Sequence, residues 1–111
     1  MTADPYELVP WRGQSIRVET CAEIIAKKMW YRGDRAKARD LYDLCAVAEA
    51  DPSAIVRAGP WLRRHGEQFL ASLANRADIA RLEFAQIDAI GTARDFDRSL
   101  AQARLLIEPL L

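Results

Sequence analysis

Two consecutive helical patterns that carry charged residues on their apolar faces constrain this chain more than any other feature of its sequence. Thr20 followed three residues later by Glu23 is typical of a capping box, so the first helix is predicted to start after Thr20. A second helix is predicted to start near Ala36, after a basic turn that contains Gly33. Both patterns repeat apolar residues at the helical period, which indicates two helices packed against one core.

The charged residues on these apolar faces are Lys28 in the first helix and Asp40 in the second, with Asp43 at the rim of the second face. Burying an unpaired charge costs several kcal/mol, so both groups need a partner. The residues alone leave two interpretations open. Either a Lys28–Asp40 salt bridge closes the helical pair, or both groups line a cleft and meet a charged ligand there.

A basic cluster surrounds these positions, and it includes all three lysines of the chain. Its six members are Lys27, Lys28, Arg32, Arg35, Lys37 and Arg39. Such clusters are commonly solvated surfaces, but two helices joined by a basic turn can also handle phosphate groups. Lys27 points to the polar side, where an i,i+4 pair with Glu23 is predicted, and Arg39 points away from the second apolar face.

The remaining patterns predict a mainly α fold, a bundle of about five helices with a short N-terminal β-strand or hairpin. Residues 1–19 are predicted to form this strand or hairpin, the remnant of a preceding sheet, with a turn at Arg12-Gly13. Residues 20–111 are predicted to form the helical domain. Its breaks are predicted at Asp51-Pro52-Ser53, near Asn75–Asp78 and at Gly91, Pro60 opens a helix, and the last helix runs from about Phe96 to Ile107.

Two further apolar patterns predict a buried helix face and an exposed strand edge. Ile79, Leu82, Ile87 and Ile90 are predicted to form the inner face of the helix after the second break. The Ile16–Val18 edge of the N-terminal segment is predicted to be exposed, which favours a homo-oligomer.

Composition excludes several classes of protein. The formal net charge is zero, so any attraction to nucleic acid must be local. No apolar run approaches 18 residues, so no membrane contact is predicted and a cytoplasmic location is expected. Cys21 and Cys45 both fall on apolar helical faces and are interpreted as reduced core thiols. His65 is the only histidine, which argues against a zinc site and against Ser-His or Cys-His catalysis.

The run from Val18 to Leu44 resembles a conserved region of the AbiEii/AbiGii toxins, a family of bacterial nucleotidyltransferase-like proteins. The family shows E-I-x-A-x-K-L, a short turn with arginine, and then R/K-D-[LI]-[YF]-D-L. The first segment is matched by Glu23, Ile24, Ala26, Lys28 and Met29. The second is matched by Arg35, Arg39, Asp40, Leu41, Tyr42, Asp43 and Leu44. The position before the motif lysine often holds Glu in the family, whereas this chain has Lys27.

The resemblance implies the C-terminal helical portion of a nucleotidyltransferase toxin. The implied catalytic residues are Lys28, Asp40 and Asp43, and the implied substrate-binding residues are Arg32, Arg35, Lys37 and Arg39. Lys28 would contact phosphate, while Asp40 would orient Lys28 or act as a base on the acceptor. The implied partners are a cognate antitoxin and RNA, with tRNA as the acceptor. The resemblance also favours the cleft over the closed salt bridge.

The metal-binding half of such an enzyme is not recognisable in the sequence. No Gly-Ser or Gly-Gly dipeptide occurs, and Asp95-Phe96-Asp97, which has the letters of a D-x-D pair, is interpreted as a helix start. No metal ligands are therefore assigned, and Mg²⁺ and a nucleoside triphosphate are expected only if the missing half is supplied. Whether the chain is an enzyme stays open. The alternative is a non-catalytic module that binds an antitoxin or forms an oligomer.

Overall fold

The computed structural model describes residues 1–87 and 94–111 and confirms a mainly α fold with an N-terminal hairpin. Its elements in chain order are β1 (Tyr6–Trp11), β2 (Gln14–Glu19), α1 (Cys21–Arg32), α2 (Ala38–Ala50), α3 (Pro52–Arg57), α4 (Gly59–Asn75), α5 (Ala77–Ala85) and α6 (Phe96–Ile107). Single 3₁₀ turns at Gly33–Arg35 and Glu108–Leu110 follow α1 and α6. Within these described ranges, no helix is long and apolar enough to cross a membrane.

The hairpin turns at Arg12 and Gly13, which have φ angles of 48° and 77°. Positive φ at both central residues is the conformation of a type I′ turn, whose twist matches that of the strands it joins. The two strands are antiparallel, with Trp11 opposite Gln14. The ladder is continued by the Thr20 amide, which donates to the Pro5 carbonyl at 2.9 Å and leads directly into α1.

Side chains cap two of the helices where the sequence predicts. Thr20 is the N-cap of α1, and its hydroxyl accepts a hydrogen bond from the Glu23 amide at 3.3 Å. The Glu23 carboxylate instead accepts hydrogen bonds from Thr2, so only half of the predicted capping box forms. Asp95 caps α6 by accepting from the Arg98 amide at 3.0 Å, which confirms the helix-start interpretation of that segment.

One hydrophobic core holds the helices together. Its largest fully buried side chains include Ile25 and Met29 from α1, Leu41 and Leu44 from α2, and Phe69, Leu73 and Ile107 from α4 and α6. The core therefore lies directly behind the face of α1 and α2 that carries the charged residues of interest.

The prediction for the inner face of α5 is wrong at Ile79 and Leu82, whereas Ile87, just beyond the end of the helix, packs against the core as predicted. Ile79 and Leu82 are 55% and 70% exposed, whereas Ala80 and Phe84 are buried. Phe84 packs its ring against Phe96 of α6 and Tyr42 of α2. The buried side of α5 therefore follows Ala80 and Phe84, one helical turn apart, where the ring of Phe84 packs against two other rings.

Two other predictions in this region have different outcomes. The break near Asn75–Asp78 is confirmed, because α4 ends at Asn75 and α5 begins at Ala77. The predicted end of this helix at Gly91 is wrong, because α5 stops at Ala85. Ile90 and Gly91 themselves lie outside the described residues.

The two cysteines differ in environment. Cys45 is buried in the core, as predicted, but Cys21 is exposed. Cys21 is the first residue of α1, directly after the hairpin, and it is not among the residues that α1 buries.

Candidate anion-binding site

Asp40 is the centre of the site. It lies in the first turn of α2, and its side chain has no exposed surface. Its Oδ1 atom accepts hydrogen bonds from Lys28 Nζ at 2.9 Å and from an Arg32 guanidinium nitrogen at 3.2 Å. Its Oδ2 atom accepts from the backbone amide of Lys37 at 3.0 Å. Asp40 therefore joins the end of α1 to the beginning of α2.

Asp43 supplies the second carboxylate. Its Oδ2 atom lies 3.1 Å from Lys28 Nζ, and its Oδ1 atom lies 3.3 Å from Arg39 Nε. The Lys28 ammonium thus bridges two carboxylates on successive turns of α2, while 19% of its side chain stays exposed. The geometry combines the two interpretations of the sequence: the Lys28–Asp40 ion pair is formed, and Lys28 still reaches solvent.

An open groove of about 310 Å³ lies beside this ion-pair cluster. It is lined by Glu19, Ile24, Lys27, Lys28, Tyr31 and Arg32. Lys27 is paired here with Glu19 of β2, and not with Glu23 as predicted from helical spacing. The hydrogen bond with Glu19 raises the pKa of Lys27, so this lysine stays protonated, and its charge is compensated by the Glu19 carboxylate.

A second groove of about 240 Å³ is lined by Tyr31, Arg32, Arg35 and Lys37. Arg35 donates only to the Tyr31 carbonyl, at 3.4 Å. Considering only residues 1–87 and 94–111, neither Arg35 nor Lys37 forms an ion pair with a carboxylate. The second groove therefore carries the uncompensated positive charge of the cluster, and Arg32 and Tyr31 separate it from the first groove.

Arg39 lies apart from both grooves. Besides Asp43, it contacts the ring of Tyr42, with its guanidinium carbon 5.8 Å from the ring centroid. Arg94 contacts the same ring at 5.3 Å and forms two hydrogen bonds with Glu49 of α2. Of the seven predicted site residues, six are thus brought to the grooves or to their ion-pair cluster, and Arg39 supports Asp43 from the outside.

The aromatic residues next to the cluster are also exposed. Tyr31 is 60% exposed and lies in the wall of both grooves, which leaves its ring free to stack on a ligand. Trp30 turns the other way, where Arg64 lies 5.5 Å above its ring and His65 packs edge-on at 5.5 Å. Trp30 therefore belongs to the contact between α1 and α4, not to the grooves.

Glu19 is the residue that sequence reasoning missed. It neutralises Lys27 across the junction between β2 and α1, and eight positions separate the two residues. That separation is not a helical repeat, because the partner stands in a strand. Predicting this pair from the sequence would require knowledge of the direction in which β2 runs relative to α1.

The carboxylates of the cluster do not fit a magnesium site. Both oxygens of Asp40 already accept hydrogen bonds from cationic or amide donors, and Asp43 lies between Lys28 and Arg39. Three or more His, Cys, Asp or Glu residues suited to one metal ion are found nowhere in the described part of the chain. A divalent cation would have to displace these positive groups, so the cluster is arranged to present cations, not to bind them.

Three comparisons with known proteins give one match. No curated protein and no solved structure matches the chain. The family described as nucleotidyl transferase AbiEii toxin, type IV TA system, matches residues 3–109, which is nearly the whole chain. The resemblance found between Val18 and Leu44 is thereby confirmed and extended. The chain belongs to the AbiEii family of nucleotidyl transferase toxins.

Proposed function

We propose that the two grooves bind the phosphate groups of a nucleoside triphosphate or of RNA, and that the chain in this way contributes phosphate contacts to nucleotidyl transfer. The observation that carries the proposal is the charge of the second groove, where Arg35 and Lys37 have no carboxylate partner among the described residues. Cations without partners that line a concave surface next to an exposed aromatic ring suit a phosphorylated ligand with a base to stack.

Lys28 is proposed to be the cation closest to the reaction. Two carboxylates fix the direction of its ammonium group, and its remaining exposure is toward the first groove. In nucleotidyl transfer the protein mainly positions the triphosphate and neutralises the charge that develops as pyrophosphate leaves. A lysine held in place before the ligand arrives needs no reorganisation for that task.

Asp40 is proposed to orient Lys28, and the role of base on the acceptor is not assigned to it. A general base must come within about 3.2 Å of the proton it removes. The Asp40 side chain has no exposed surface, and its two oxygens already accept three hydrogen bonds. Asp43, which is 28% exposed, is the carboxylate of the pair that a ligand can approach.

Membership of a type IV toxin–antitoxin family implies an antitoxin partner. We further propose that the acceptor is RNA, with tRNA as the specific candidate, and that the protein acts in the cytoplasm. The exposed cationic groove suits an RNA backbone, which binds through counterion release.

Anion binding by the intact chain tests the proposal. We expect inorganic triphosphate and a short single-stranded RNA to bind with an affinity that falls with salt concentration. Arg35→Gln and Lys37→Gln should each weaken RNA binding and reduce the slope of log K against log salt by about 1, because each removes one phosphate contact. Titration calorimetry and fluorescence anisotropy provide the two measurements.

Lys27→Gln is the matched control. This lysine lines the neighbouring first groove, but Glu19 compensates its charge. It should leave the salt slope unchanged. Equal effects of all three substitutions would indicate non-specific attraction to a basic surface, and no binding by the unmodified chain would contradict the proposal.

A non-catalytic binding module is the second candidate. The observation in its favour is that Asp40 and Asp43 are engaged by Lys28, Arg32 and Arg39, which leaves no carboxylate pair in the cluster suited to a catalytic metal. In that case the same surface would contact the antitoxin. An antitoxin that binds with unchanged affinity to the Arg35→Gln and Lys37→Gln variants would argue against this use of the grooves.

A further inference from the structure

The β1–β2 hairpin exposes more apolar surface than a free-standing element can sustain. Its exposed large side chains are Tyr6, Leu8, Trp11, Ile16 and Val18, and Leu8 and Trp11 reach 71% and 57% exposure. The sheet has two strands only, and no described helix packs along it. An isolated two-stranded hairpin is marginally stable in water, and three or more strands with a hydrophobic face are needed for independent stability. Contacts with α1 hold the base of the hairpin, but further strands at its edge would stabilise the ladder.

The outer edge of β2 suits another strand better than the outer edge of β1. Because a two-residue turn places Trp11 and Gln14 in a hydrogen-bonded pair, the ladder bonds alternate outward from there. The backbone of Pro10 consequently faces the outer edge of β1, where a proline nitrogen offers no donor. On the outer edge of β2 the backbone groups of Ser15, Arg17 and Glu19 face outward, and no described residue outside the hairpin hydrogen-bonds to the backbone of residues 14–19.

We propose that two copies of the chain associate through their β2 strands, antiparallel, with the two-fold axis at Val18. The result is a four-stranded antiparallel sheet in the order β1–β2–β2–β1. In this register Arg17 of each copy stands directly opposite Glu19 of the other, and Val18 stands opposite Val18. The Glu19 carboxylate pairs with Lys27 of its own chain but keeps 34% of its side chain exposed, so it can accept Arg17 of the second copy as an additional partner. Within each hairpin Arg17 lies directly across from Leu8, and Glu19 lies directly across from Tyr6. Both ion pairs between the copies therefore form on the sheet face that carries Tyr6 and Leu8.

Charge selects this register over its neighbours. Moving the axis by one residue to Arg17 places the two Arg17 side chains opposite each other, and like charges directly opposite are destabilising. Moving it to Ile16 leaves Arg17 opposite Ser15 and removes both opposite-charge pairs. Registers in which the axis falls between residues join the Ile16–Val18 face of one hairpin to the Arg17 face of the other, which breaks the continuity of the apolar face.

A cysteine scan in the full chain tests the register. Val18→Cys and Ile16→Cys are made separately in a Cys21→Ser background, because Cys21 is exposed and would otherwise cross-link. At the proposed axis the two residues at position 18 form a non-hydrogen-bonded pair with Cα atoms about 4.5 Å apart, within the range of a disulfide. The two residues at position 16 would be more than about 13 Å apart, because four strand residues separate them along the sheet.

The expected result is a dimer of the unmodified chain by sedimentation, and about ten-fold more disulfide-linked dimer from Val18→Cys than from Ile16→Cys under mild oxidation. A monomer at all micromolar concentrations would overturn the proposal. So would equal or reversed cross-linking of the two variants.

A charge exchange keeps the proposal testable if a cysteine variant fails to fold, which circular dichroism would reveal. Arg17→Glu replaces two attractive pairs by two repulsive ones and should weaken the dimer by about ten-fold or more. The triple variant Arg17→Glu, Glu19→Arg, Lys27→Glu restores the opposite charges between the copies and keeps an ion pair between positions 19 and 27 within each chain, so it should recover most of the association. Failure of the triple variant to recover while its fold is intact would overturn the proposed pairing.

Discussion

The Lys28 ammonium nitrogen lies 2.9 Å from Oδ1 of Asp40, but the two partners depend on this contact unequally. Asp40 also accepts from Arg32 and from the Lys37 amide, so it keeps two donors if Lys28 is removed. If Asp40 is removed, the Lys37 amide and the Arg32 guanidinium lose their carboxylate acceptor, and Lys28 keeps only Asp43. Asp40 therefore has mainly a structural role, whereas Lys28 remains accessible to a ligand.

This asymmetry predicts unequal losses of stability. We expect Asp40→Leu to lower the free energy of unfolding by about 3–5 kcal/mol, the usual cost of breaking a buried pair on one side. Lys28→Met should cost only about 1–2 kcal/mol, because Asp40 stays hydrogen-bonded. Urea denaturation of both variants and of the double variant measures these costs. Equally large losses in both single variants, with rescue in the double variant, would instead indicate a closed salt bridge without a ligand role.

Binding measurements test whether Lys28 contacts a ligand in addition to its ion pair with Asp40. Lys28→Met should weaken the binding of triphosphate or RNA in a salt-dependent way, because the three cations Lys28, Arg32 and Arg39 exceed the two carboxylates Asp40 and Asp43 by one charge, which this change removes. Lys27→Met should change binding little, since Glu19 compensates that charge. The salt dependence of the dissociation constant, measured by anisotropy, provides the comparison. A larger loss in Lys27→Met than in Lys28→Met would contradict the assignment.

Local signals predict much of this fold because they need no distant partner. Thr20 and Asp95 cap helices through bonds to amides three residues away, and the apolar phase of α1 and α2 places Lys28 and Asp40 side by side. The inner face of α5 is decided elsewhere. Phe84 lies inward because rings from α2 and α6 surround it, and no spacing within α5 contains that information.

The site divides in the same way. Helical phase is sufficient for Lys28, Asp40 and Asp43, whose contacts lie between two adjacent helices. It fails for Lys27, because the competing partner Glu19 comes from the hairpin. The position of a partner outside the helix depends on the angle between α1 and the strand before it. That angle is a property of the tertiary structure.

The two cysteines should differ in reactivity. Burial raises the pKa of the Cys45 thiol to about 11, and its Sγ atom donates to the Ser99 carbonyl at 3.4 Å. A thiol with a raised pKa contains almost no thiolate, the reactive form, at pH 8. We expect one thiol, Cys21, to react with a disulfide reagent in the folded protein and two after unfolding. Cys21→Ser should abolish the reaction of the folded protein, and a fast second thiol would show that the core around Cys45 opens.

The isolated chain should transfer no nucleotide. Its only D-x-D sequence is used for structure, since Asp95 caps α6 and Asp97 forms hydrogen bonds with Arg81. A nucleotidyl transfer site uses carboxylates to hold its metal ions, and the Asp40–Asp43 pair is occupied by cationic side chains. Incubation with labelled nucleoside triphosphates and total RNA tests this. Metal-dependent labelling that persists through repurification would show that the chain completes a catalytic site.

Gly66 marks the closest approach of α4 to α6, and replacing it should destabilise the protein. A Cβ atom at this position would lie 2.3 Å from Cγ2 of Ile107, a β-branched side chain with little freedom to move. The overlap should cost about 1–3 kcal/mol and exceed the gain of about 1 kcal/mol that alanine brings to a helix. Gly59→Ala is the matched control in the same helix, because nothing lies within 4 Å of the added atom. We expect thermal unfolding to show a lower midpoint for Gly66→Ala and an equal or higher one for Gly59→Ala. If Gly66→Ala is as stable as the unmodified chain, α6 can shift away from α4, and the packing of Ile107 is looser than its full burial indicates.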